Sequence, residues 1–171
     1  MVALSGFRAF LKRKDIEISL RRYGIDALGA MAQGLFCSLL IGTILNTLGS
    51  QTGVAIFSTV GGYATAVSGP AMAVAIGYAL KCPPLVLFSM VPVGWAANAL
   101  GDAGGPLAVL VIAIVAAEVG KMVSKETPVD VLVTPLVTIF AGVALAALIA
   151  PPIGAGANYV GALIKRATVL Q

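Results

Sequence analysis

The chain has 171 residues, 59% of them hydrophobic and 11% charged, with a formal net charge of +4 and a mean hydropathy of +1.01. Soluble domains carry roughly a quarter charged residues, and a chain this short leaves much of its surface exposed after folding, so water is excluded as the main solvent and lipid must cover the protein. The absence of histidine excludes His-based catalysis and His-ligated metals within this chain; no P-loop, dinucleotide fingerprint or nucleophile–base constellation occurs either, and no catalytic residue, metal site or cofactor is expected.

Six of the eleven basic residues (Arg8, Lys12, Arg13, Lys14, Arg21 and Arg22) precede the first long apolar run. Beside a membrane span, such a cluster reads as a topology signal and a contact for anionic lipid. Aromatic residues do not interleave with it as base stacking would require, so nucleic acid is not an expected partner. Within residues 1–22, Phe7, Phe10, Leu11 and Ile18 share a helical face, interrupted by Lys14, which predicts an amphipathic interfacial helix. The following run is too long for a signal peptide's apolar core.

The first span is predicted from Gly24 to Leu48, long enough for a hydrocarbon core that needs about 20 residues. A mildly apolar stretch, Val54 to Thr65, leads to a second span, Val67 to Leu80, closed by Lys81 and Pro83-Pro84. A third, Pro84 to Leu100, carries Pro92 and Gly94 and ends in the Gly101–Gly105 break. Leu107 to Val123 forms the fourth, behind Pro106 in the favoured first-turn position. The fifth covers Val131 to Ala150, where Pro151-Pro152 is expected to stop the helix. The fold class is thus an all-α polytopic membrane bundle of about five transmembrane or re-entrant helices (23–152). The segment 153–171 is too short for an upright span and is expected to be re-entrant, interfacial or the start of something cut from a larger domain.

With a cytoplasmic N-terminus, alternate crossing puts Lys81, Lys121 and Lys125 on the cytoplasmic side and leaves the loops near Gly49, Gly101 and Pro151 without Lys or Arg. Cys37 and Cys82 lie in or beside apolar runs and are expected to be buried, reduced thiols.

Along the first span Asp26, Ala30, Gly34, Ser38, Gly42 and Asn46 recur every four residues. Small residues at this spacing let helix backbones approach closely, inside one subunit or between two; Ala30, Gly34, Ser38 and Gly42 are the helix-packing or dimer candidates. Glu118 is the one acidic residue well inside an apolar span, which makes it a substrate-site candidate; an ion pair with Lys121, three residues on, is the structural alternative. Asn98, Asp102 and Trp95 surround the break after the third span, where a hydroxylated ligand would meet exposed backbone amides and carbonyls, although Trp95 also suits an interfacial anchor. Gln33 in the first span is a further candidate, or a helix–helix hydrogen-bonding group.

The segments GPAMAVAIGYALKCPPLVLF and GGPLAVLVIAIVAAEVGKMVSKETPVDVLVTPLVTIFAGVALAALIAPPI resemble the N-terminal half of the enzyme IIC-type membrane domains of the bacterial phosphotransferase system. The run LKRKDIEISLRRYGIDALGAMAQGLFCSLLIGTIL is closer still to the IIC-like branch that carries the membrane domain alone. The resemblance implies a homodimeric transporter in the bacterial inner membrane, working with soluble phosphotransferase components and moving a small solute, a sugar or a related molecule, by shifting a substrate domain against a scaffold. Two other readings are a membrane scaffold or sensor acting through its basic N-terminus, and a carrier of an apolar or lipid-like solute.

Overall fold

A computed structural model describes residues 2–169, with side chains for 6 and 8–168. It is 88% helical and contains no strand among those residues. Helix α1 covers Val2–Arg13, and Phe7 of its expected apolar face lies outside the described side chains. Asp15, with φ of 52°, ends that helical run, so the helix expected over residues 1–22 stops well short of residue 22. Residues 16–19 form a non-helical connection and the chain is helical again from Leu20, which is why helical periodicity fails over Ile16 and Ile18.

Helix α2 runs over Arg21–Thr52, longer at both ends than the predicted first span. It contains two wide turns, Arg21–Asp26 and Phe36–Leu40, each rotating the side chains that follow relative to an ideal helix. Gly53, with φ of 71°, caps it in the left-handed conformation that suits glycine. Residues 54–65, predicted only as a mildly apolar stretch, form α3 (Ala55–Ala66), which packs back along the C-terminal half of α2. Helix α4 (Ser68–Ala79) follows after a 50° bend and continues along the N-terminal half of α2.

Helix α5 (Pro84–Gly101) is continuous through Pro92 and Gly94. Proline costs the helix one bond, that to the carbonyl four residues back, but its ring does not have to end a helix already held by its neighbours. After the short tight turn Asp102–Gly104, helix α6 (Gly105–Val123) folds back onto α5. Its direction follows from contacts at both ends: a Cβ at Gly105 would lie 2.5 Å from Asn98 Oδ1, and one at Gly120 would lie 2.7 Å from Val86. Helix α7 spans Asp130–Val169 and runs straight through the Pro151-Pro152 pair expected to end it.

Three helical stretches, Arg21–Thr52, Pro84–Val123 and Asp130–Thr168, are long and apolar enough to cross a membrane, or four if the bent α3–α4 pair counts as one span. Because the middle stretch doubles back at Gly101–Gly105, the path makes five antiparallel passes: α2, α3–α4, α5, α6 and α7. Helices α5 and α6 have 18 and 19 residues, about 28 Å each, close to the thickness of the hydrocarbon core.

The interior is built from small side chains. Ala73, Ala97, Ala108, Ala113, Ala117, Ala146 and Ala150 are completely buried, with Met72, Ile76, Met90 and Ile112 filling between them, while Phe36, Phe88, Leu136, Phe140 and Leu148 stand exposed. This inverts the water-soluble pattern, as expected where lipid tails are as apolar as leucine and helices associate by close packing. In α7, Thr134, Thr138, Gly142, Ala146, Ala150 and Gly154 repeat every four residues and all are buried. The series carries α7 past Pro151: a Cβ at Gly154 would lie 3.1 Å from the Gly101 carbonyl carbon. Packing against the α5–α6 turn therefore outweighs the two lost helical hydrogen bonds.

The small-residue series of α2 is used inside the chain. A Cβ at Gly34 would lie 2.6 Å from the Ala71 carbonyl of α4, and one at Gly42 would lie 2.6 Å from Thr65 Cγ2 of α3. Ser38 is buried and donates to the Gly34 carbonyl at 2.7 Å. Ala30 is half-buried and Asp26 exposed, because the wide turns take the series off a strict four-residue step. Cys37 is exposed on the outer face of α2, contrary to the expectation of burial, whereas Cys82 is a half-buried free thiol whose pKa desolvation pushes up to about 12.

Gly94 of α5 stands against the Gly69 carbonyl of α4, and a Cβ there would also lie 2.6 Å from Ala73 Cβ. Gly94→Ala is expected to lower stability in detergent by about 1–3 kcal/mol. The control Gly62→Ala, with nothing within 4 Å of the added carbon, is expected to be neutral or stabilising; thermal unfolding of the two purified variants decides.

Candidate functional site

All the basic turns of the chain meet at one end of the bundle. The last turns of α6 carry Glu118 and Lys121 on one face, three residues apart. Lys121 is only 1% exposed, a position that a cation tolerates when each of its three ammonium protons has a partner. Its Nζ lies 3.1 Å from Glu118 Oε2, 2.7 Å from the Asp15 carbonyl oxygen and 3.1 Å from the Leu80 carbonyl oxygen. The Glu118 approach has ion-pair distance without hydrogen-bond alignment, which leaves Oε2 a buried oxygen with no aligned donor.

Arg22, from the first wide turn of α2, donates to Asp15 Oδ2 at 2.6 Å and to the Leu80 carbonyl at 3.0 Å. Leu80 follows the last turn of α4, where helix carbonyls lack intrahelical donors and the dipole is negative; two cations cap it. Tyr23, next in α2, donates its hydroxyl to Glu118 Oε1 at 3.0 Å. The site therefore ties the α1–α2 connection, α2, the end of α4 and α6 into one polar knot. Lys14 reaches the Ser124 carbonyl and Glu126 Oε1, the latter at 2.5 Å, and Arg13 reaches the same carboxylate oxygen at 2.9 Å, fastening α1 to the α6–α7 loop. The hydrogen bond from Lys14 holds the Glu126 carboxyl below its ordinary pKa, and the hydrogen bond from Arg22 does the same for Asp15.

The ion-pair alternative for Glu118 is thus realised in the structure, and the residue borders an apolar groove beside Tyr23 while its Oε2 stays buried. Asn98 and Asp102 lie at the opposite end. Asn98 is half-buried between Gly69 and Gly105, and Asp102, held at φ of 45°, accepts from Asn158 Nδ2 at 3.2 Å. Glu118 stands about 20 Å along α6 from that turn. Trp95 and Gln33 are exposed on outer faces. The five sequence candidates consequently do not converge on one cavity. Sequence reasoning missed Arg22, Tyr23 and Asp15 as members of the Glu118 site; only the Glu118–Lys121 spacing signalled it, because the other partners come from distant turns.

The family model described as "Phosphotransferase system, EIIC" matches residues 25–171. No curated protein and no solved structure matches the chain.

Lys121→Met, which leaves Glu118 and the Asp15 carbonyl without their cation, is expected to cost about 3–5 kcal/mol. Adding Glu118→Gln should recover part of that loss, a non-additivity visible as a higher unfolding midpoint in the double variant than in Lys121→Met alone. Asp15 gives a pH dependence of defined sign. Its folded pKa lies below the ordinary 3.8, so the tie to Arg22 stabilises the fold above that value and is lost as pH falls through the depressed one. Acid unfolding of Asp15→Asn should be correspondingly flatter over that range.

Proposed function

The chain belongs to the phosphotransferase-system enzyme IIC family, and from that membership we propose that it carries a small solute, a sugar or a related hydroxylated molecule, across the bacterial inner membrane. In this reading the N-terminus is cytoplasmic, the soluble phosphotransferase components are the partners, and the transporter works as a homodimer. The family match over residues 25–171 carries the proposal. Two features support a moving part: the 50° bend between α3 and α4, and the α5–α6 turn strained at Asp102. Irregular backbone at membrane depth is sheltered by protein or a hydrated cavity, and in transporters it adjoins the solute path.

Glu118 is proposed to contribute to the solute path from the cytoplasmic end. Its carboxylate already accepts from a phenolic hydroxyl, so a solute hydroxyl presents the same chemistry. Asn98 and Asp102, with Trp95 nearby on α5, are proposed to serve the outer end, and Gln33 the lateral face of α2. The two ends belong to different stages of passage, since one bound solute cannot span about 20 Å.

Proteoliposomes holding the full chain and the soluble phosphotransferase components, challenged with a panel of labelled sugars and polyols, test the reading. Uptake of at least one is expected, and Glu118→Gln should reduce it about tenfold or more at equal protein level, the scale of one lost charge-assisted hydrogen bond. Normal uptake in that variant removes Glu118 from the path, and no uptake or binding of any solute removes the transport reading. For orientation, a membrane-impermeant maleimide applied to spheroplasts should label Gln51→Cys, while Lys81→Cys should react only after the membrane is opened. The reverse pattern would invert the proposed topology.

A further inference from the structure

The connection after α1 is anchored where it leaves that helix, by Lys14 on the α6–α7 loop and by Asp15 on Arg22 and Lys121. Yet it leaves Ile18 80% and Leu20 88% exposed. Two clefts meet beneath it and share Leu11, Ile16 and Ile18. The inner cleft, about 360 Å³, runs along α6 over Ile114, Val115, Val119 and Met122, with Glu118 and Tyr23 at its wall. The outer one, about 490 Å³, has Arg8 and Lys12 at its mouth beside Asp15 and Glu17.

The acids around these clefts already have cations. Asp15 gives both oxygens to Arg22, Glu17 lies 3.9 Å from the same guanidinium, and Glu118 is paired with Lys121. Arg8 and Lys12 enter no ion pair among the described residues. What remains is a site of two solvents, basic charge outside and an apolar trough inside, set where a basic amphipathic helix meets a membrane-crossing one.

We infer that this double cleft holds one anionic phospholipid of the surrounding leaflet, its phosphate against Arg8 and Lys12 and an acyl chain laid along the face of α6 from Ile114 to Met122. A zwitterionic lipid fills the trough equally well but brings its own cation to a basic mouth, so charge complementarity selects the anionic one. The bound chain covers Ile18 and places a lipid beside Glu118 and Tyr23.

Native mass spectrometry of the full chain in mild detergent, titrated with phosphatidylglycerol or phosphatidylcholine, tests this without reference to transport. Phosphatidylglycerol is expected to be retained in preference. The double variant Arg8→Gln/Lys12→Gln should weaken it roughly thirtyfold, about fivefold for each basic residue, and leave phosphatidylcholine unchanged, whereas Lys165→Gln/Arg166→Gln should alter neither. Val115→Trp, which fills the inner cleft from an exposed position, should lower retention of the same lipid without loss of the folded state. Equal retention of both lipids by the native chain, or undiminished phosphatidylglycerol binding in Arg8→Gln/Lys12→Gln, would overturn the inference. So would an Ile18→Cys variant that forms disulfide-linked dimers in lipid, because a second copy would then occupy the cleft.

Discussion

Backbone proximity is the constraint on which this structure depends. In hydrocarbon, burying one leucine against another gains little, so helices hold together only where their main chains come close enough for dispersion and oriented dipoles to act. Gly34 against Ala71, Gly42 against Thr65, Gly94 against Gly69 and Gly154 against Gly101 are those points. Each removes a side chain so that two elements can touch, and together they fix the order of the five passes. The large apolar residues that would form a soluble protein's core are turned outward, where lipid is their solvent.

Close packing alone does not fix the ends of helices, whose free carbonyls and amides need partners. At the basic end Lys121 and Arg22 supply them, both donating to Leu80 and both tied to the residue that ends the α1 run. A buried cation shared by three chain segments makes their positions interdependent, since displacing any one leaves a charge uncompensated. The same knot orients Glu118 through Tyr23. Structure and candidate chemistry are here the same set of atoms: the carboxylate proposed for the solute path is also the one that neutralises the lysine.

The breaks in the helices take on meaning in this frame. Pro92, Pro151, Pro152 and Asp102 are themselves exposed, but the helices that carry the prolines are held nearby by glycines in close contact, Gly94 on Gly69 and Gly154 on Gly101, and the α5–α6 turn is braced by α7 through Ile153 and Asn158. Packing of each helix through its neighbouring small residues, rather than burial of the prolines themselves, holds these irregularities in place.

The sequence by itself determined the solvent, the helical class and the sidedness of charge. Those depend on composition and on local spacing, which survive any arrangement of neighbours: the apolar runs, Pro84 and Pro106 opening helices, the i,i+3 placement of Glu118 and Lys121, and the basic residues of turns that end up at one end of the bundle. Only the tertiary structure decided the use of each surface. It turned the α2 series of Gly34, Ser38 and Gly42 inward, made residues 54–65 a packed helix, carried α7 past two prolines and assembled Arg22, Asp15 and Tyr23 around the buried pair. None of these was legible in advance because each depends on contacts between residues far apart in the chain, and a local pattern specifies that a face is small or apolar without specifying what will stand against it.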